Sequence, residues 1–144
     1  MGRQRSFAPF ERDIQATVVE YWRVLGMPDT LVAAIPNARA HGQPGLTKGL
    51  PDLMVLGPRV PNECAFIELK RERGASTSDE QLAFGALSAR LGLTWKLAHG
   101  VDAAIELLEL WGVVRVSKHN VERRGLVGAA RGAAGVEENK RRGV

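Results

Sequence analysis

The chain has 144 residues, 44% of them hydrophobic and 25% charged, which suits a single folded domain with a real core. No run approaches 18 consecutive apolar residues and the N-terminus lacks a charged-then-apolar leader, so a soluble, cytoplasmic protein with no membrane partner is expected; its small size is compatible with a phage or a bacterial host. Cys64 is the single cysteine, without a partner for a disulfide or a cysteine metal site, and its expected role is packing.

The net charge of +4 is not evenly spread. Residues 1 to 116 hold 13 Lys+Arg against 13 Asp+Glu, whereas residues 117 to 144 hold 7 against 3. The chain therefore divides into a neutral domain, 1–116, and a basic tail, 117–144, rich in Gly and Ala and without aromatics or sustained periodicity. Such a tail is expected to be largely disordered. It fits a solubilising segment as well as a phosphate-contacting arm.

In chain order, Ile14, Val18, Tyr21, Trp22 and Leu25 recur on one helical face from Glu11 onward, and Gly26 and Pro28 end that helix. "TLVAAIPN" reads as a short strand closed by Pro36. Residues 38 to 51 carry three glycines and two prolines over 14 positions and form a loop. "DLMVL" and "CAFIELK" are two apolar runs joined by "GPRVPNE", the pattern of a hairpin with a longer connection. "STSDEQ" contains two overlapping capping boxes, Thr77 with Glu80 and Ser78 with Gln81, ahead of the periodic Phe84, Leu87 and Leu91, and Gly92 closes that second helix. "LTWKLAH" is a further strand and "VDAAIELLELWG" a third helix, with "VVRV" as a candidate last strand. This order describes an α/β arrangement, a small mixed β-sheet flanked by helices. Trp22, Trp95 and Trp111 sit in periodic or apolar segments and are expected in the core, not as base-stacking platforms.

The two central runs carry charges where a buried hairpin should carry none. If they pair antiparallel about Val60, partners sum to 120 and Asp52 faces Glu68, with Cβ atoms about 5 Å apart. Lys70 then shares the face of Glu68 while Ile67 and Leu69 point the other way. Facing carboxylates repel, and burial makes ionisation costlier, so a cation must offset them or one must stay protonated. Carboxylate oxygens suit Mg²⁺ or Mn²⁺, which can present a water to a phosphodiester, with Lys70 orienting that water or stabilising developing charge. The plainer alternative is a solvated Glu68–Lys70 ion pair at the sheet edge.

Two helical residues join this set. At 100° per residue Glu11 falls within about 60° of Ile14, on the apolar face of the first helix, whereas Glu20 falls on the opposite side. Gln81 lies one turn before Phe84 and can face the sheet near Lys70 while also closing the capping box with Ser78.

Gly49-Leu50-Pro51-Asp52, followed by Glu68-Leu69-Lys70 and then Ser78-Asp79-Glu80-Gln81, resembles the VRR-NUC family of the PD-(D/E)XK nuclease superfamily over roughly residues 11 to 110. The resemblance implies a PD-(D/E)XK nuclease-like core and a Mg²⁺- or Mn²⁺-dependent endonuclease that hydrolyses DNA. Asp52, Glu68 and Glu11 would be metal ligands, Glu11 as the helix-one acid with Glu20 in reserve, Lys70 the catalytic lysine and Gln81 the helix-two glutamine. Small stand-alone members of the family look like homodimers acting on branched DNA such as Holliday junctions. A catalytically silent DNA-binding or assembly module, or a nuclease cutting flaps or plain duplex, is the alternative. Lys48, Arg71 and Arg73, and more remotely Arg39 and His41, could contact phosphates or merely be solvated. His41, His99 and His119 show no ligand spacing, which argues against a histidine metal site.

Overall fold

A computed structural model describes residues 10–36 and 44–118. Arg39, His41 and His119, and the basic tail from residue 119, lie outside the described residues. The element order is α1 (Glu11–Leu25), β1 (Leu31–Ala34), β2 (Leu53–Leu56), a short 3-10 turn at Pro61–Glu63, β3 (Cys64–Lys70), α2 (Asp79–Arg90), β4 (Thr94–His99) and α3 (Gly100–Leu110). The strands form one mixed sheet in the order β1-β2-β3-β4, antiparallel up to β3 and parallel between β3 and β4. A parallel pair cannot be joined by a tight turn, and α2 supplies the crossover.

The β2–β3 register is the expected one, Leu53 opposite Ile67, Met54 opposite Phe66 and Val55 opposite Ala65. Alternation then separates two faces. Leu53, Val55, Ala65, Ile67 and Leu69 are buried and join Ile14 and Val18 of α1 and Ala104 and Leu108 of α3 in one core. The opposite face carries Phe66, whose ring meets Phe84 of α2 edge-on at 5.3 Å between centroids. Glu68 and Lys70 share that second face, beneath α2.

α2 packs differently from its sequence pattern. Leu87 and Leu91, expected on its buried stripe, are exposed, and Ser88 is the buried residue. Gly85 explains the close seat: a Cβ there would lie 2.8 Å from the Trp95 ring, so the helix backbone rests directly on the indole. Phe84, Gly85 and Ser88 therefore make the contact face. Gly85→Ala should lower the melting temperature by about 5 °C or more, since overpacking costs about 1–3 kcal/mol and outweighs the roughly 0.5–1 kcal/mol gained in helix propensity. An unchanged thermal melt would show that the helix is not seated on Trp95.

The segment "VVRV" forms no strand. It contributes a single antiparallel bridge, Gly26 to Val114, flanked by Met27 N–H donating to the Val113 carbonyl and Arg115 N–H to the Leu25 carbonyl. The end of α1 offers only this short stretch of extended backbone, too little for a ladder. Trp111 is buried at 5% exposure and Trp22 donates from Nε1 to Thr30 Oγ1, so both pack as structural residues.

Candidate functional site

Asp52 stands one residue before β2, one step beyond the last ladder pair and in register with Glu68. It is fixed from both sides. Its carbonyl accepts from Ile35 N–H at 2.8 Å, continuing the β1 side, and its Oδ2 accepts from Leu69 N–H at 2.7 Å. Gly49 shapes the loop that delivers it, with φ +85 and a position where a Cβ would fall 2.6 Å from the Glu80 backbone. The glycine of the GLPD stretch thus seats the loop against the first turn of α2. Pro51 is buried beside it.

Glu68 and Lys70 lie on the inner strand β3, only 2% and 4% exposed, so they are not a solvated pair at a sheet edge. Lys70 Nζ approaches Glu68 Oε1 at 3.1 Å and donates to Gln81 Oε1 at 3.0 Å. Gln81 Nε2 donates to Glu68 Oε1. The same Gln81 Oε1 accepts from Ser78 N–H at 2.9 Å while Ser78 Oγ accepts from Gln81 N–H at 3.2 Å, which completes the capping box. Of the two boxes read from the sequence, Ser78–Gln81 is the one that forms at the α2 N-cap. One amide therefore caps a helix and braces both charged groups.

Glu11, Asp52, Glu68, Lys70 and Gln81 line one open cavity of about 500 Å³, with Lys48 and Arg71 at its wall. Glu20 is exposed beside Arg23 at 3.4 Å and does not line it, nor does the exposed Arg73. Lys48 pairs with Glu80 at 3.2 Å, both largely exposed, and such a pair contributes little stability. His99 Nδ1 lies 3.2 Å from the Arg71 carbonyl, a contact no sequence pattern suggested.

The electrostatics follow from burial. Glu68 is pushed up to about 7, first by desolvation and then by the Asp52 charge, with Lys70 opposing. Asp52 is raised by burial and by Glu11, while the Leu69 N–H and Lys70 pull the other way. In the folded protein Glu68 thus binds its proton more tightly than its ordinary value of 4.5. Stability from this group is complete below about 4.5, declines as pH rises, and is lost above about 7, a change of roughly 3 kcal/mol. EDTA-treated protein should therefore melt higher at pH 5.5 than at pH 8, and Glu68→Gln should shrink that difference. A difference of equal size in Glu68→Gln would assign the pH dependence to other groups.

The donor set fits a hard divalent cation. Two carboxylates face each other with too little positive charge to offset both, and Glu68 Oε2 is buried without a hydrogen-bond partner. Asp52 and Glu68 would hold the ion. Glu11 shares the cavity, but among the described residues no group of three or more His, Cys, Asp or Glu side chains is clustered to hold one.

No family model matches the sequence, and no curated protein matches it. Among solved structures, a "VRR_NUC domain protein" superposes with a TM-score of 0.62 over 76% of this chain and 99% of its own, at 20% identity. The chain has the VRR_NUC fold. A second structure, described as "VRR_NUC domain", agrees with a TM-score of 0.50 over 69% of this chain and 94% of its own, at 21% identity. The mixed sheet, the α2 crossover and the α1–α3 layer are thus a VRR_NUC-like architecture. No described helix is long and apolar enough to cross a membrane.

Proposed function

We propose that this protein is a Mg²⁺- or Mn²⁺-dependent endodeoxyribonuclease, selective for branched DNA such as Holliday junctions and acting as a homodimer. The observation that carries the hydrolytic part is the half-buried Asp52 facing the buried Glu68, the latter braced by Lys70 and Gln81, at the wall of an open cavity. A binding module gains nothing from burying like charges that repel a polyanion, whereas a hydrolase needs them. Asp52 and Glu68 would hold the divalent ion, which when bound would supply Lewis-acid chemistry toward the phosphodiester and its attacking water. Lys70 has three N–H donors, two of them directed at Glu68 and Gln81, which leaves one for a phosphate oxygen or the attacking water. Gln81 keeps that ammonium oriented. Lys48 and Arg71 would hold the flanking phosphates, with Arg73 farther out, and contacts of this kind position DNA without reading sequence.

The branch preference and the dimer rest on the resemblance of the GLPD, ELK and SDEQ stretches to VRR-NUC proteins. Synthetic junctions, flaps and plain duplex incubated side by side with Mg²⁺, Mn²⁺ or EDTA test the whole reading. Junction cutting that requires a divalent ion supports it. Cutting of flaps or duplex in preference replaces the substrate assignment, and no cutting of any DNA with either ion leaves the silent binding module as the better reading.

A further inference from the structure

Phe10 is the N-cap residue of α1 and is 59% exposed, an aromatic ring in solvent immediately before Glu11. It lines a second open cavity, of about 640 Å³, together with Glu11, Arg12, Asp13 and Arg71. Glu11 and Arg71 also line the cavity that holds Asp52, Glu68 and Lys70, so the two spaces share a wall. Phe10 therefore stands beside the candidate catalytic groups without belonging to them.

The chemistry of this second cavity is specific. Its two arginines are balanced by Glu11 and Asp13, so it does not attract a polyanion through charge alone. An exposed aromatic ring with a guanidinium nearby is instead the arrangement that takes an unstacked base and its phosphate. A base within a duplex has both faces covered by its neighbours and cannot offer one to Phe10. An unpaired nucleotide can.

We infer that Phe10 and Arg71 form a subsite for one unpaired nucleotide next to the cleavage site, the base stacking on Phe10 and its phosphate meeting Arg71. The inference rests on the nuclease reading for its purpose, since it supplies a physical source of preference for branched or gapped DNA over duplex. Stacking of a base on an aromatic side chain changes affinity by about 5- to 150-fold.

The test is binding of the full chain, in EDTA, to two DNA probes of the same sequence. One carries a single unpaired 2-aminopurine nucleotide at a branch and the other is fully paired. Wild-type protein should bind the branched probe more tightly and quench its fluorescence. Phe10→Ala should weaken branched-probe binding by about 10-fold and remove the quench, leave duplex affinity within twofold, and Phe10→Trp should restore both. The Phe10 side chain is exposed, and α1 is started by the Phe10 carbonyl accepting from Asp13 and Ile14 N–H, so the fold does not depend on the ring. Equal binding of both probes by Phe10→Ala and wild type, or equal loss on both, overturns the inference. Because no cleavage is read, a Phe10-dependent quench in a protein that cuts no DNA would keep the subsite and refute the nuclease. Active cleavage with an indifferent Phe10→Ala would do the reverse.

Discussion

Asp52→Asn should cut DNA about 10²- to 10³-fold more slowly than the wild type, the scale of losing a preorganised charge-stabilising group, while melting at a higher temperature in EDTA. Both effects have one cause. Burial and the facing Asp52 charge raise the proton affinity of Glu68, burial and Glu11 raise that of Asp52, and a bound cation would relieve both. Replacing Asp52 removes the repulsion and a metal donor together, and the side-chain carbonyl of the introduced asparagine can still accept the Leu69 N–H that Oδ2 accepts now. Added Mn²⁺ should raise the melting temperature of the wild type and leave that of Asp52→Asn almost unchanged. Wild-type cutting by Asp52→Asn would show that this residue is not a metal ligand.

Lys70→Ala should also abolish cleavage, but at a cost to the fold that the E-x-K spacing alone does not suggest. The ammonium is 4% exposed and is the cation beside a carboxylate that is 2% exposed. Removing one member of a buried ion pair strands the other and costs about 3–5 kcal/mol, or more than about 10 °C in melting temperature. The loss should be largest at pH 8, where Glu68 must ionise, and smaller at pH 5.5, where it can hold a proton. Combining Lys70→Ala with Glu68→Gln should recover much of the stability and none of the cleavage. A Lys70→Ala protein that melts like the wild type at pH 8 would mean that the pair is not buried in solution.

The contrast between these variants marks where local pattern stops being informative. Alternation along "DLMVL" and "CAFIELK" fixes which residues share a face, and the turn-rich connection fixes the register, so the Leu53–Ile67 pairing is legible from spacing. The Ser78–Gln81 box is legible for the same reason, because a cap is satisfied within four residues. The exposed Leu87 and Leu91 are not, since the buried side of α2 depends on the close approach of Gly85 to Trp95, a contact between elements. The "VVRV" bridge escapes local pattern on similar grounds, because whether an apolar run becomes a strand depends on the neighbour it meets.

The sequence by itself determined the element order, the β2–β3 register and the common face of Asp52, Glu68 and Lys70, all of which follow from periods of 2.0 and 3.6 residues acting over short stretches. Only the tertiary structure decided that β3 lies inside the sheet, because β4 joins it in parallel through the α2 crossover, and this burial turns an ordinary ion pair into a strained carboxylate pair. It also decided that Phe10 stands exposed at the wall shared with Glu11 and Arg71. Those outcomes depend on where whole elements pack against each other, and no period within one element carries that information.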